Sequence, residues 1–241
     1  MATLELCMET ARRCGIPTAG VSYRHFEDEP ALVVERYDRL RSASGTVVRL
    51  HQEDLCQALS VMPDQKYTSE GGPTTRDVLA LLASTSQAQF NLKAFTSMLF
   101  FNCIVGAPDA HAKNYSLLLG RGDSVMVAKM YDVASGLAYE RLRNKGRLAM
   151  SIGGENRFGR VGAGALARYA GATDTQLAGM LEPFGITEAY CRETMADLCA
   201  AMPAAMAAAF EESASLPDIA ELEERLLPAV ANNCVRTLTL L

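Results

Sequence analysis

Four polar residues, Asp109, His111, Lys113 and Asn114, crowd into the eight-residue stretch APDAHAKN at 107–114, and an isolated acid, Asp132, follows two short apolar runs. Those residue types suit phosphoryl transfer from a nucleoside triphosphate. That chemistry asks for an acid to orient the attacking hydroxyl, oxygen donors for Mg²⁺ and positive charge beside the phosphates. Magnesium prefers hard oxygen, so the Asn114 amide and the Asp132 carboxylate are suitable donors. The seven scattered cysteines are not. Each residue also has a plainer role open to it. Asp109, next to Pro108, could be a turn former or helix cap. His111 reads as a hydrogen-bonded strut or as a proton shuttle. Lys113 is either a point cation for phosphate or a solvated surface ammonium, and Ser116 packs or caps.

The elements around these residues decide whether they can meet. Leu4, Cys7, Met8 and Ala11 recur at helical spacing and Gly15-Ile16-Pro17 stops the pattern, which predicts a short opening helix over residues 3–14. TAGVSYRHF and PALVVERYD are β-prone runs on either side of the acidic turn Glu27-Asp28-Glu29, which predicts a hairpin that TVVRL at 46–50 is expected to join. Beyond residue 50 the pattern turns helical: HQEDLCQALS, then TTRDVLALLAST, then a long apolar helix from about 87 to 106. YSLLL and SVMVAKM, separated by Gly120-Arg121-Gly122-Asp123, predict a hairpin behind the polar loop. The glycines at 153–164 form no phosphate-binding motif and read as a turn. From 164 onward Ala and Leu at helical spacing predict a bundle broken at Pro183, Gly185 and Pro217. The expected class is α+β, mostly α.

Composition sets the outer limits. A chain of 241 residues with 49% hydrophobic and 21% charged residues can bury a sizeable core, which excludes disorder and fibre. Its net charge of −5 supplies no general basic field, so direct nucleic-acid binding is not expected and neither is attraction to an anionic membrane. The apolar stretches near 94–107 and 198–210 are too short and too interrupted to span a bilayer. The N-terminal segment has acids where a secretion signal would have an apolar core, and an odd number of cysteines without CxxC spacing suits free buried thiols in a reducing cytoplasm. His25 and His51 read as surface or capping residues.

The order D-x-H-x-K-N-x-S, with an apolar helix before it and Tyr131-Asp132 after the hairpin, resembles the HipA family of serine/threonine kinases, toxin components of bacterial toxin–antitoxin pairs. VVERYDR, HQEDLCQALSVMPDQKY, the GGP at 71–73 and LAMSIGG at 148–154 resemble the same family in the same order. The step from Asp109 to Asn114 also matches the acid-to-Asn step of a kinase catalytic loop. The resemblance implies a kinase-like helical lobe over 51–241, preceded at 1–50 by a small β remnant of the N-terminal lobe that ends in the hinge strand. It implies Asp109 as catalytic acid/base with His111 and Lys113 beside it, and Asn114 and Asp132 as Mg²⁺ ligands. It places the backbone of Glu35 to Tyr37 against adenine, with Lys113 near the phosphates of ATP. A strand from Pro30 to Val34 that ends in Glu35-Arg36-Tyr37-Asp38 would leave donors and acceptors at a sheet edge for such a purine. The implied partners are a protein substrate, such as an aminoacyl-tRNA synthetase, and an antitoxin-like repressor.

Two departures stand against that pattern. Lys129 occupies a position three residues before Asp132 where the family usually has proline. No lysine and no Gly-rich turn between strands precedes residue 30, although a kinase of this family has both upstream of its hinge. The chain is then expected to be a piece of a longer kinase, to work with a lobe on a separate chain, or to be a degenerate relative acting as a binding module.

Overall fold

The structure is a computed structural model that describes residues 2–214, 216 and 218–241. Helix α1 (Ala2–Arg13) opens the chain and buries Leu6, Cys7, Met8 and Ala11 against helix α8 (Glu188–Glu212) and strand β1 (Val21–Phe26). Strand β1 pairs antiparallel with β2 (Glu29–Val34) in the expected hairpin, with Val21 opposite Val34. The next run behaves differently from the expectation: β4 (Val47–Arg49) does not join β1 and β2 but pairs with β3 (Arg39–Arg41) in a hairpin of its own. Asp38 explains the break. It is buried between Arg36 and Arg39, accepting from Arg36 at 2.7 and 2.8 Å, and its carbonyl takes the Leu50 N–H, so the chain turns out of the first hairpin there.

A second correction concerns HQEDLCQALS. His51–Asp54 is strand β5, and only Leu55–Ala58 is helical (α2). The strand forms because it pairs in register with β6 (Ser116–Leu119), which in turn pairs with β7 (Val125–Val127). Asp54 ends it and caps α2 by a capping box with Gln57. Helix α3 (Thr75–Ala83) starts on the same device, Thr74 with Asp77.

Helix α4 (Ala88–Val105) is buried all round from Met98 onward, with Phe95, Leu99, Phe100, Phe101 and Ile104 among the least exposed side chains, while Gln89 and Phe90 near its start are exposed. Asn91, fully buried on it, donates to the Val125 carbonyl and accepts from the Val127 N–H at 2.9 and 2.8 Å, which clamps β7 to the helix. After the central loop come α5 (Glu140–Lys145), the hairpin of β8 (Arg147–Ile152) and β9 (Glu155–Arg157), and helices α6 (Ala163–Tyr169), α7 (Thr175–Leu181), α8 and α9 (Ile219–Leu238). The turn expected among the glycines is the β8–β9 turn at Gly153-Gly154, both with positive φ. Pro217 lies outside the described residues. Helices α4, α8 and α9 share one core with α1, and the class is α+β, mostly α. All seven cysteines are free thiols, six of them buried and Cys14 half-buried. Among the described residues no helix is long and apolar enough to cross a membrane.

Candidate active site

The loop that carries Asp109 begins where α4 is forced to end. Gly106 takes φ +69°, a left-handed conformation that suits glycine, and its N–H and that of Ala107 return to the Asn102 carbonyl. The next residues fold around one acceptor. The Asp109 carbonyl takes the His111 N–H and the Asn114 side-chain Nδ2, each at 2.8 Å, and the Asn114 N–H returns to the His111 carbonyl at 2.9 Å. Asn114 therefore spends its amide nitrogen on fixing the loop, and its Oδ1 has no partner among the described residues.

Asp132 is held in place by the hydrogen bonds of four nearby residues, Met130, Tyr131, Ser135 and Gly136. The Tyr131 hydroxyl donates to the Lys113 carbonyl and shares a hydrogen bond with Ser116 Oγ, both at 2.7 Å. Met130 donates to the Pro17 carbonyl and accepts from Ala19, so 17–19 runs beside the segment before Asp132. Beyond Asp132, Ser135 Oγ donates to the Val105 carbonyl at 2.5 Å and the Gly136 N–H to the Gly106 carbonyl at 2.8 Å. The chain thus returns to the very turn from which Asp109 departs. Asp132 itself has φ +56°, an unusual value for a non-glycine residue, held by the ties on either side. The two acids line one cavity of about 220 Å³ together with Pro108, Ser135, Tyr139 and Leu142.

The segment expected as the hinge, Glu35 to Tyr37, sits against the same assembly. Glu35 donates its N–H to Gly20 at 2.7 Å, and the Tyr37 ring stacks on Tyr131 with centroids 5.7 Å apart. Among the described residues, neither the Glu35 carbonyl nor the Tyr37 N–H has a hydrogen-bond partner. The Glu35 side chain is exposed and Tyr37 is half-buried.

Sequence reasoning assigned no chemistry to Tyr67, yet its hydroxyl donates to Asp109 Oδ1 at 2.5 Å. The His111 ring meets the Tyr67 ring edge-on at 5.2 Å, and the Lys66 ammonium lies 5.1 Å from the Tyr67 ring centre. The one available hint was the QKY at the end of HQEDLCQALSVMPDQKY, a family-like stretch with no evident role. Donation to the Asp109 carboxylate raises the Tyr67 pKa to about 12, since losing the proton would set two anions side by side.

His111 is buried, with Nδ1 unpartnered and Nε2 3.7 Å from Asp109 Oδ1, too long for a hydrogen bond. Burial lowers its pKa and the Asp109 charge opposes the shift, so the pocket favours the neutral imidazole over the charged one. Lys113 is half-buried, and its ammonium makes no ion pair among the described residues. Ser116 holds Tyr131, as expected of a packing or capping residue. His25 and His51 are exposed and lie outside the site.

The donor set can be tested against magnesium. Among the described residues no group of three His, Cys, Asp or Glu could hold a metal alone. Mg²⁺ is ordinarily held by one or two carboxylates with substrate phosphates and water completing the shell. The exposed Asp132 carboxylate lines the cavity, and the unengaged Asn114 amide oxygen, outside its lining, is tied to the same loop through the Asp109 carbonyl; this hard-oxygen pair fits a magnesium ion whose shell is completed by water and phosphate.

Comparison with known proteins then fixes the lineage. The profile of the HipA-like C-terminal domain matches residues 5–206. The chain belongs to that family. This HipA-like chain is 47% identical over 148 residues to the kinase candidate Y4mE of Sinorhizobium fredii, covering 61% of the chain and 34% of that protein. It is 34% identical over 164 residues to the serine/threonine-protein kinase toxin HipA of Shewanella oneidensis, covering 62% of the chain and 37% of the toxin. In three dimensions it matches a chain of the Shewanella oneidensis complex of HipA, HipB and operator DNA with a TM-score of 0.83 at 24% identity, covering 98% of this chain and 55% of that one. The proinflammatory kinase CtkA of Helicobacter pylori matches at a TM-score of 0.56 and 9% identity, covering 97% of this chain and 86% of that one. The HipA-like chain spans about a third of the length of the curated relatives it matches.

Proposed function

We propose that this HipA-like chain is the catalytic lobe of a cytoplasmic, Mg-ATP-dependent serine/threonine protein kinase of a toxin–antitoxin pair. The observation that carries this reading is the convergence of Asp109 and Asp132 on one cavity, with Asn114 tied to the Asp109 carbonyl beside it. Asp109 orients the substrate hydroxyl and accepts its proton as the phosphoryl group transfers. Tyr67 fixes one oxygen of that carboxylate, and the other has no hydrogen-bond partner among the described residues. Asn114 Oδ1 and Asp132 hold Mg²⁺, which when bound offsets charge on the phosphates. Lys113, unpaired and beside the loop, adds a cation on the phosphate side, and His111 is a strut that keeps the Asp109 turn from collapsing. The open Glu35 carbonyl and Tyr37 N–H accept and donate to a purine edge. On this reading residues 1–50 are the end of the nucleotide lobe and 51–241 the helical lobe.

The relative solved with HipB supports an antitoxin-like repressor as partner, and the serine/threonine kinase relative supports a protein as substrate; an aminoacyl-tRNA synthetase is the substrate the family resemblance implies. Calorimetric titration with Mg-ATP tests the proposal: binding is expected in the wild type and at least about tenfold weaker in Asp132→Ala. A second reading is a non-catalytic module that binds the antitoxin-like partner, for which the same titration gives no heat.

A further inference from the structure

A second pocket of about 370 Å³ draws on α5 as the catalytic cavity does and is lined by Arg143, Arg157, Arg160 and Arg236 together with Asn144 and Thr239. The two cavities share that one short helix: Leu142 faces the catalytic cavity while the next two residues, Arg143 and Asn144, line the arginine pocket. Its wall is tightly built, since Phe158 lies so close over Gly146 that a Cβ there would come 2.3 Å from the ring. Among the described residues no acid lines it, in a chain whose net charge is −5.

The four guanidinium groups are not equally committed. Arg157 is paired with Glu155 at 3.0 Å, an ion pair that helps hold the Glu155 carboxyl at about 2. Arg143 donates to the Leu137 and Arg225 carbonyls at 2.6 and 3.1 Å, which fixes its plane without cancelling its charge. Arg160 and Arg236 make no side-chain hydrogen bond and no ion pair among the described residues. Arg236 lies in the last turn of α9, where the carbonyl end of the helix favours a cation. Two exposed guanidinium groups with no acid of their own, beside a third already oriented, match the charge and fork geometry of a phosphate better than a single carboxylate. The volume lies at the small end of the range for ligand sites, about 300–1,000 Å³.

We infer that this pocket binds the phosphate dianion of a small phosphorylated ligand, independently of the catalytic cavity. Its concave shape and the acidic balance of the chain favour a small molecule over a nucleic-acid backbone, which would need a basic stripe.

The test is calorimetric titration of the full chain with pyrophosphate in EDTA, so that no metal-dependent nucleotide site takes part. One saturable site is expected, at least about tenfold weaker in Arg160→Gln/Arg236→Gln and unchanged in Asp132→Ala. Both arginines are exposed, so the variant is expected to melt with the wild type; should it not fold, the single Arg160→Glu variant replaces it and must show the same loss. Absence of saturable binding, equal binding by the arginine variants, or loss in Asp132→Ala would each overturn the inference. So would binding of duplex DNA through these arginines without binding of pyrophosphate. The kinase reading stands or falls separately, on Mg-ATP.

Discussion

Asp109 is held by its own backbone and touched by a phenol. Its carbonyl organises the loop, while one carboxylate oxygen accepts from Tyr67 and the side chain stays largely exposed. A fixed carboxylate presents its free oxygen in one direction, which favours near-attack geometry. Tyr67→Phe is therefore expected to leave Mg-ATP affinity within about threefold and to slow phosphoryl transfer about tenfold in the assembled kinase, measured as incorporated phosphate. An unchanged rate would reduce Tyr67 to a resting contact. Asp38 offers a pH test. The Arg36 guanidinium, with Arg39 beside it, lowers its pKa to about 2, against about 3.9 in an unfolded chain. A carboxyl depressed on folding contributes stability above the unfolded value, and that contribution fades as pH falls from about 4 through about 2. Asp38→Asn should therefore destabilise the chain by about 1–2 kcal/mol at neutral pH, a modest figure because Arg36 is mostly exposed. Melting curves of the two proteins should converge as pH drops through that window.

Between elements, the decisive contact is the return of 135–136 to the end of α4. Gly106 permits it twice, through its left-handed φ and because a Cβ there would come 2.5 Å from Leu137 Cγ. Gly106→Ala is expected to lower the melting temperature and to weaken Mg-ATP binding by about tenfold or more, since it pushes the Asp132 segment from the Asp109 loop. A variant that melts lower yet binds Mg-ATP normally would show that the turn serves stability alone. The other join is Asn91. Replacing it with Leu strands the Val127 N–H and the Val125 carbonyl, at a cost of about 2–3 kcal/mol. The expected drop in melting temperature is about 5–10 °C by scanning calorimetry.

Across the whole molecule, burial is uneven. Helices α4, α8 and α9 form the core, whereas β1 to β4 are two separate two-stranded ribbons with Phe26, Leu40, Val47 and Val48 exposed. Two-stranded ribbons have little stability of their own. Amide hydrogen exchange should be fastest over 21–50 and slowest in α4; equal protection would show that the ribbons are as firmly held as the core. The chain alone is expected to phosphorylate slowly or not at all, because it has no lysine and no Gly-rich loop before residue 30 to stabilise charge on the transferring group. Robust ATP-dependent phosphorylation by the isolated chain, abolished in Asp109→Ala, would overturn that expectation.

Periodicity marked α1, α3, α4 and the β6–β7 hairpin, and local motif spacing singled out Asp109, Asn114 and Asp132, because such signals depend only on neighbours along the chain. Residues 46–54 misled, since β-prone or helix-prone residues take their state from the strand they meet, here β3 and β6. The Tyr67 to Asp109 bond joins residues 42 apart, and the arginine pocket gathers side chains from α5, β9 and α9. No local pattern encodes either one. The chemistry of each group was present in the linear order, and the packing of α4, α5 and α9 decided which groups would face one another.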